Sequence, residues 1–340
     1  MTLPRALILC AAARPTAALV AAVLLTGCET LSYYAQAVGG QLDLMSRARP
    51  VEKLIADHAT PQALRERLAL ARSIREFAVQ ELKLPDNASY RSYAELGRRY
   101  AVWNVVAAPE FSLAPVQSCF PMAGCVPYRG FFSRDDAVRH AGRLLSEGHD
   151  VHLYGVPAYS TLGRFDDPLL STFIDYPEAE LARLIFHELA HQVVYVKDDS
   201  TFNESFAVTL ERAGVRRWLA ATGRQAQLQG FLEAQRRNAE FLALLGQARG
   251  RLEALYRHRI APEAMRERKR AELAALRAKL PKAGPESGSP RHEPNNAMLA
   301  SFATYTQLVP AFEKLLADEG GDLERFYAKV KKLAAAGKSP

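Results

Sequence analysis

Cysteine, tryptophan and long apolar runs are all scarce in this chain. Four cysteines in 340 residues leave no basis for a disulfide-dense scaffold. Glycine and proline, 20 and 19 in number, are too few for a collagen-like chain. Beyond the N-terminus no apolar run reaches the roughly 20 residues of a membrane-spanning helix. There is also no internal repeat of about 20–50 residues, which excludes a solenoid. What is present, 49% hydrophobic and 24% charged residues, excludes a disordered chain and suits a globular protein with a sizeable core. The net charge of +7 raises nucleic acid or an anionic membrane as partners.

The N-terminus reads as an address. Arg5 and Arg14 precede an apolar segment, Ala17 to Leu25, which is too short to span a bilayer. It runs into Leu25-Thr26-Gly27-Cys28, which looks like a bacterial lipobox. That likeness implies a leader over residues 1–27, lipidation of Cys28 and a lipidated tether over 28–49. Glu29 in place of Asp after the cysteine implies the outer membrane of a bacterial envelope, with the chain facing the periplasm. Removing the leader lowers the charge and takes Cys10 with it. Cys119 and Cys125 then remain, and in an oxidising compartment they are expected to close a small disulfide loop. A metal site at that pair is the weaker reading, because no histidine or further cysteine lies nearby.

The remainder, residues 50–340, reads as one domain of α+β class, mostly helical. A helical pattern runs to about Leu84. From Tyr100 to Tyr159 short runs rich in Val, Tyr and Phe, broken by Pro and Gly, predict a small antiparallel sheet with a helix over 135–147. A helix is expected from Pro177 to about Val196, and another from about Thr201. Residues 211–282 read as a long helical excursion broken near Gly223, Gly230 and Ile260-Ala261-Pro262. A polar loop over 283–297 follows, then a last helical block broken at Gly320-Gly321.

The chemistry concentrates in His187-Glu188-Leu189-Ala190-His191. On a helix, positions i and i+4 share a face, so both imidazoles can reach one ion, with Glu188 beside them to accept a proton from water. The flanking residues, Leu184, Ile185, Phe186, Leu189 and Val193, demand burial. Burying two imidazoles and a carboxylate without partners costs several kcal/mol, which a metal would offset. Catalytic zinc takes three protein ligands and keeps one position open. The next histidine is His258, far along the chain. The metzincin continuation fails, since Val194 and Lys197 stand where Gly and His belong. Glu204 is the better third ligand, with Asp198 and Asp199 as fallbacks or as partners of the histidines. A bland alternative is that Thr201-Phe202-Asn203-Glu204 forms a capping box. Glu211, seven residues on, shares the face of Glu204 and fits either a partner of the site or a surface residue.

Asn203-Glu204 opening a helix after H-E-x-x-H resembles the gluzincin metallopeptidases, though over a shorter interval. The chain also carries Cys119-Phe-Pro-Met-Ala-Gly-Cys-Val-Pro-Tyr-Arg-Gly, Gly155-Val-Pro-Ala-Tyr-Ser-Thr-Leu-Gly, Phe165-Asp-Asp-Pro-Leu-Leu-Ser-Thr-Phe and Asn295-Asn-Ala. With these motifs it is similar to the zinc aminopeptidase lipoproteins of bacteria, over nearly all of residues 25–335. The resemblance implies one zinc per chain on His187, His191 and Glu204, a peptide substrate, and an edge strand near Val151 to Tyr159 that binds substrate backbone. Tyr159 and Tyr305 are the candidate donors to the oxyanion. Asp166 and Asp167 are candidates for a substrate's free amine, or else simply cap the turn before Pro168.

Three functions compete at this level: an aminopeptidase, an endopeptidase of the envelope with the same site, and a non-catalytic scaffold. The scaffold has no need of a glutamate between the two histidines. The charge also divides unevenly. Residues 211–282 hold 17 Lys and Arg against seven acids, whereas the rest of the mature chain has 25 against 30. The basic excursion is a solvated face or a contact with anionic lipid. Export makes nucleic acid an unsuitable partner.

Overall fold

The computed structural model describes residues 31–120, 124–158, 160–280 and 293–340. The chain divides into two units, Met1–Ser46 and Arg47–Pro340. In the first, 31–46 form a helix within the stretch read from the sequence as a tether. The leader and Cys28 lie outside the described residues.

The second unit is α+β and mostly helical. Its larger sheet has β3 (Val102–Pro109) at the centre, antiparallel to both β6 (Arg129–Phe131) and β7 (His149–Val156). The run Val105-Val106-Ala107-Ala108 is buried throughout, because both faces of this strand are covered. Val106 and Ala108 pack with Ala297 of α8 (Asn296–Thr306). Trp103, which faces the other way, meets Arg134 at the start of α3 (Arg134–Ser146). The Oγ of Ser133 accepts from Asp136 N–H and so starts α3.

A second sheet joins β1 (Arg49–Pro50), β2 (Ser92–Ala94) and β8 (Leu169–Leu170), with β2 and β8 parallel. It was not anticipated, since strands of two or three residues show no period. A hairpin of β4 (Ser118–Phe120) and β5 (Gly124–Val126) places Cys119 directly opposite Cys125, and the two are disulfide-bonded. Gly124 has φ +77°, and a Cβ there would stand 2.4 Å from Asp198 Oδ1. The absence of that carbon lets Asp198 accept the Cys125 N–H at 2.6 Å.

After α1 (Val51–Ala56) and α2 (Gln62–Gln80), the helical core centres on α4 (Glu178–Ala190) and α5 (Ser200–Ala221). Gly214 of α5 makes their close approach possible: a Cβ there would lie 2.7 Å from the Phe186 ring and 2.8 Å from Leu82. Phe77 of α2 packs edge-on against Trp218, whose indole N–H donates to Glu178 at 2.9 Å. On another side Phe206 meets Phe312 of α9 (Val309–Asp318) and Phe326 of α10 (Leu323–Ala335). Gly214→Val is expected to destabilise the fold by about 3 kcal/mol, read as a lower urea midpoint, because the wall it meets is a buried aromatic ring. An unchanged midpoint would show that the two helices have slack.

Three boundaries differ from expectation. Helix α4 stops at Ala190 rather than near Val196. Beyond it, Gln192 and Val193 make tighter bonds to Leu189 and Ala190, and the Asn203 side chain holds both the N–H and the C=O of Val196, at 2.8 and 2.7 Å. Residues 211–221 belong to α5, so the excursion starts only at α6 (Gln225–Tyr256), which runs through Gly230 unbroken and is followed by α7 (Pro262–Lys279). The last block has an additional break between Thr306 and Val309. Leu245, Ala248 and Leu252 of α6 and Leu276 of α7 share a buried cluster with Met298 and Leu299. The excursion is therefore anchored to the body by packing.

Candidate metal centre

His187 lies in the last turn of α4 and His191 is its C-cap residue, while Glu204 projects from the first turns of α5. Apolar packing of the two helices thus brings the three side chains together. One ligand atom from each of His187, His191 and Glu204 lies within 4.8 Å of the others. Glu204 Oε2 stands 3.3 Å from His187 Nε2 and 3.8 Å from His191 Nε2. Neither approach has hydrogen-bond geometry, and Glu204 Oε2 is buried without a hydrogen-bond partner. Three side chains, one buried and two half-buried, whose ligand atoms converge and include an orphaned carboxylate oxygen, fit a divalent cation.

The outer shell is built on the same helices. Glu211, one of the few buried acids, places Oε2 2.9 Å from His187 Nδ1 and 3.1 Å from Arg183 Nη1. Despite its burial, Arg183 and His187 hold Glu211 below the usual carboxylate range, so it is ionised. It therefore accepts from Nδ1–H, which keeps a proton on that nitrogen and leaves Nε2 as the ring atom facing Glu204, the one that would ligate a metal once it gives up its own proton. Burial opposes the imidazolium at His187, yet the carboxylates of Glu204 and Glu211 outweigh it and push this group up to about 10. His191 shows the reverse balance, since burial takes it down to about 4 and leaves it neutral.

Glu188 makes no hydrogen bond with a described residue. Burial pushes it up to about 7; the positive His187 opposes this, and Glu204, Asp167 and Glu211 reinforce it. A carboxylate poised near neutrality suits a general base.

Four tyrosines lie within electrostatic range of the cluster. Tyr305, near the end of α8, and Tyr128, between β5 and β6, are each raised well above the ordinary phenol value, by burial first and then by the charge of Glu204. Both also sense Glu188. Tyr195 and Tyr154 sense Glu204 as well, and Tyr154 is in hydrogen-bonding reach of Ser301 Oγ at 3.4 Å. Tyr128 had no sequence signal beyond its place in Cys125-Val-Pro-Tyr-Arg-Gly. Tyr159 lies outside the described residues.

The remaining candidates separate from the cluster. Asp198 is committed to Cys125, and Asp199 caps α5 by accepting from Phe202 N–H at 2.9 Å, which displaces both as fallback ligands. With Asp199 as the N-cap, Thr201 does not open a capping box and Glu204 is released from that role. Asp166 is exposed. Asp167 is buried and accepts from Thr161 N–H and Oγ1–H at 2.9 and 2.8 Å. Burial pushes it up to about 6, against those bonds. His258 is exposed, away from the three.

Arg183 neutralises Glu211, and Glu211 orients His187. Arg183→Met and Glu211→Gln are each expected to weaken metal binding by about tenfold to a hundredfold, as loss of such partners does in other metal sites. Competition with a chelator measures it, and unchanged affinity in both variants would assign the chain to folding alone.

A family model described as "Putative aminopeptidase" matches residues 32–339. The chain belongs to this family. No curated protein and no solved structure matches it significantly. The match takes in both helices of the cluster, the tyrosine-bearing segments and the excursion, and it supports peptidase-type hydrolysis as the broad activity.

Proposed function

We propose that this protein is a zinc-dependent peptidase that removes N-terminal residues from peptides. The observation that carries the reading is the convergence of His187, His191 and Glu204 within 4.8 Å, with Glu188 next to the first of them. Zinc on those three side chains would supply Lewis acidity, polarising a carbonyl and acidifying water at neutral pH. Glu188 takes the proton from the attacking water and later delivers it to the leaving amine. Glu211 and Arg183 keep His187 in the ligating tautomer. Tyr305, with Tyr128 near it, offers a phenol to the oxyanion that forms at the scissile carbonyl.

The side of β7 away from β3 carries no further strand among the described residues, so an extended peptide can add there by backbone pairing. Asp166 is the more accessible carboxylate for a free amine, since Asp167 is occupied by Thr161. Cys28 as a lipidated anchor and the bacterial envelope as location complete the reading. The basic face of α6 and α7 is partly spent on ion pairs, Arg251 with Glu272 and Arg266 with Glu110.

The test is zinc analysis of the purified protein together with aminoacyl reporter substrates. About one zinc per chain, and cleavage of free-amine peptides in preference to N-acetylated ones, is expected. Equal turnover of blocked and free peptides would make it an endopeptidase with the same site. Tyr305→Phe is expected to lower kcat by about a hundredfold with KM little changed, as loss of one oxyanion donor does. A normal kcat would remove Tyr305 from the reaction.

A further inference from the structure

Among the described residues, half of the large hydrophobic side chains left exposed lie on a single short helix. In 31–46, Leu31, Tyr34, Val38 and Leu42 are 72%, 37%, 57% and 62% exposed. Spacings of three, four and four residues hold them within an arc of about 80° that runs for about 16 Å. Ala35, also exposed, lies about 20° beyond the edge of that arc. Asp43 is the one charged residue of the segment, and it lies on another face, with Ser32 and Gln36. A continuous uncharged stripe in open solvent marks a contact surface.

The sequence just upstream identifies what covers it. The apolar run Ala17 to Leu25 ends six residues before Leu31, and Cys28 stands three residues before it. Three extended residues span about 10 Å, so a bilayer holding either feature lies within reach of the stripe. Tyr34, apolar in its ring and polar at its tip, suits the boundary between acyl chains and water. Gly39 and Gly40 make a 16-residue helix marginal in water, and an interface that buries one side stabilises it.

We infer that helix 31–46 lies in the lipid–water interface, with Leu31, Tyr34, Val38 and Leu42 immersed and the half-buried face of Gln36 and Asp43 kept out of the lipid. The helix then ties this end of the chain to the membrane, an attachment separate from any acyl group and independent of the metal centre.

The test uses the full chain with Cys10→Ser and Cys28→Ser, which removes acylation and leaves the Cys119–Cys125 bridge closed. Val38→Cys, Leu42→Cys, Ser32→Cys and Gln36→Cys are made singly and labelled with nitrobenzoxadiazole. Vesicles of phosphatidylethanolamine and phosphatidylglycerol are then added. Emission at 38 and 42 is expected to rise about threefold and shift to the blue, with 32 and 36 unchanged. No change at 38 and 42 would overturn the inference. So would an equal rise at all four positions, which reports bulk insertion, or a rise with protein concentration alone, which reports a second copy on the stripe. In the same unlabelled background, Val38→Asp combined with Leu42→Asp is expected to cut vesicle co-flotation about tenfold at an unchanged melting temperature. Undiminished flotation would place the attachment in residues 17–25 alone and overturn it.

Discussion

Glu188→Gln is expected to reduce peptide turnover by about a thousandfold or more while the protein keeps its metal, because a general base contributes about 10²–10⁴ and Gln cannot accept the proton. The geometry separates the two properties. His187 and His191 point at Glu204, whereas Glu188 is outside the ligand triad and makes no hydrogen bond with a described residue. Gln has the shape of Glu and places no new bulk at that position. Removing the carboxylate also removes a charge that burial already penalises, so the fold should not suffer. The measurement is kcat/KM on an aminoacyl reporter beside zinc content and melting temperature. An active Glu188→Gln protein would refute the base assignment, and loss of zinc would place Glu188 among the ligands.

The part of this site that could be read from the sequence is the part made by local periodicity. The four-residue interval from His187 to His191 is a helical turn, and Glu204 is near enough in sequence to follow from a second helix packed on the first. Glu211 shared the face of Glu204, but whether it pointed into the protein depended on Gly214 allowing α5 close to Phe186. Tyr128 was invisible because it arrives from a different layer: it lies between β5 and β6, far in sequence from α4 and α5. The end of α4 was placed too late for a similar reason. Val193 and Val194 continue the apolar pattern, whereas the actual stop comes from the Asn203 side chain, which holds Val196 across the loop. Long-range hydrogen bonds of that kind leave no period in a sequence.

The basic excursion shows the same limit. Counting charge over 211–282 treated eleven residues of α5 as part of an arm, and one of them, Glu211, is a buried anion of the site. Beyond Gly223, Lys269 is itself buried and bonds Asp150 and the Glu110 carbonyl, at 2.8 and 2.9 Å. Asp150 in turn accepts from Asn296 N–H at 2.8 Å, at the start of the helix that carries Tyr305. A count of net charge cannot distinguish a lysine that docks a helix from one that faces solvent. Here some of the basic residues join the excursion to the sheet and to α8.

Zinc should raise the melting temperature of the metal-free protein markedly, and Glu204→Gln should abolish most of that rise. For a cation at about a thousand times its Kd, binding to the native state alone adds about 4 kcal/mol. In a protein of this size each kcal/mol corresponds to about 1.5 °C, so the expected rise is about 6 °C. Gln at 204 retains an oxygen but loses the charge that compensates the dication, leaving two neutral imidazoles as the principal ligands. If affinity falls about a thousandfold, the same zinc concentration equals the new Kd and adds only about 0.4 kcal/mol, or roughly 1 °C. Glu188→Gln should show the full rise of about 6 °C, so the pair of variants separates ligand from base by a measurement that requires no substrate. Differential scanning calorimetry with and without zinc decides it. A Glu204→Gln protein stabilised as strongly as the parent would mean that the cation, if bound, is held by other groups, and the triad of His187, His191 and Glu204 would have to be abandoned.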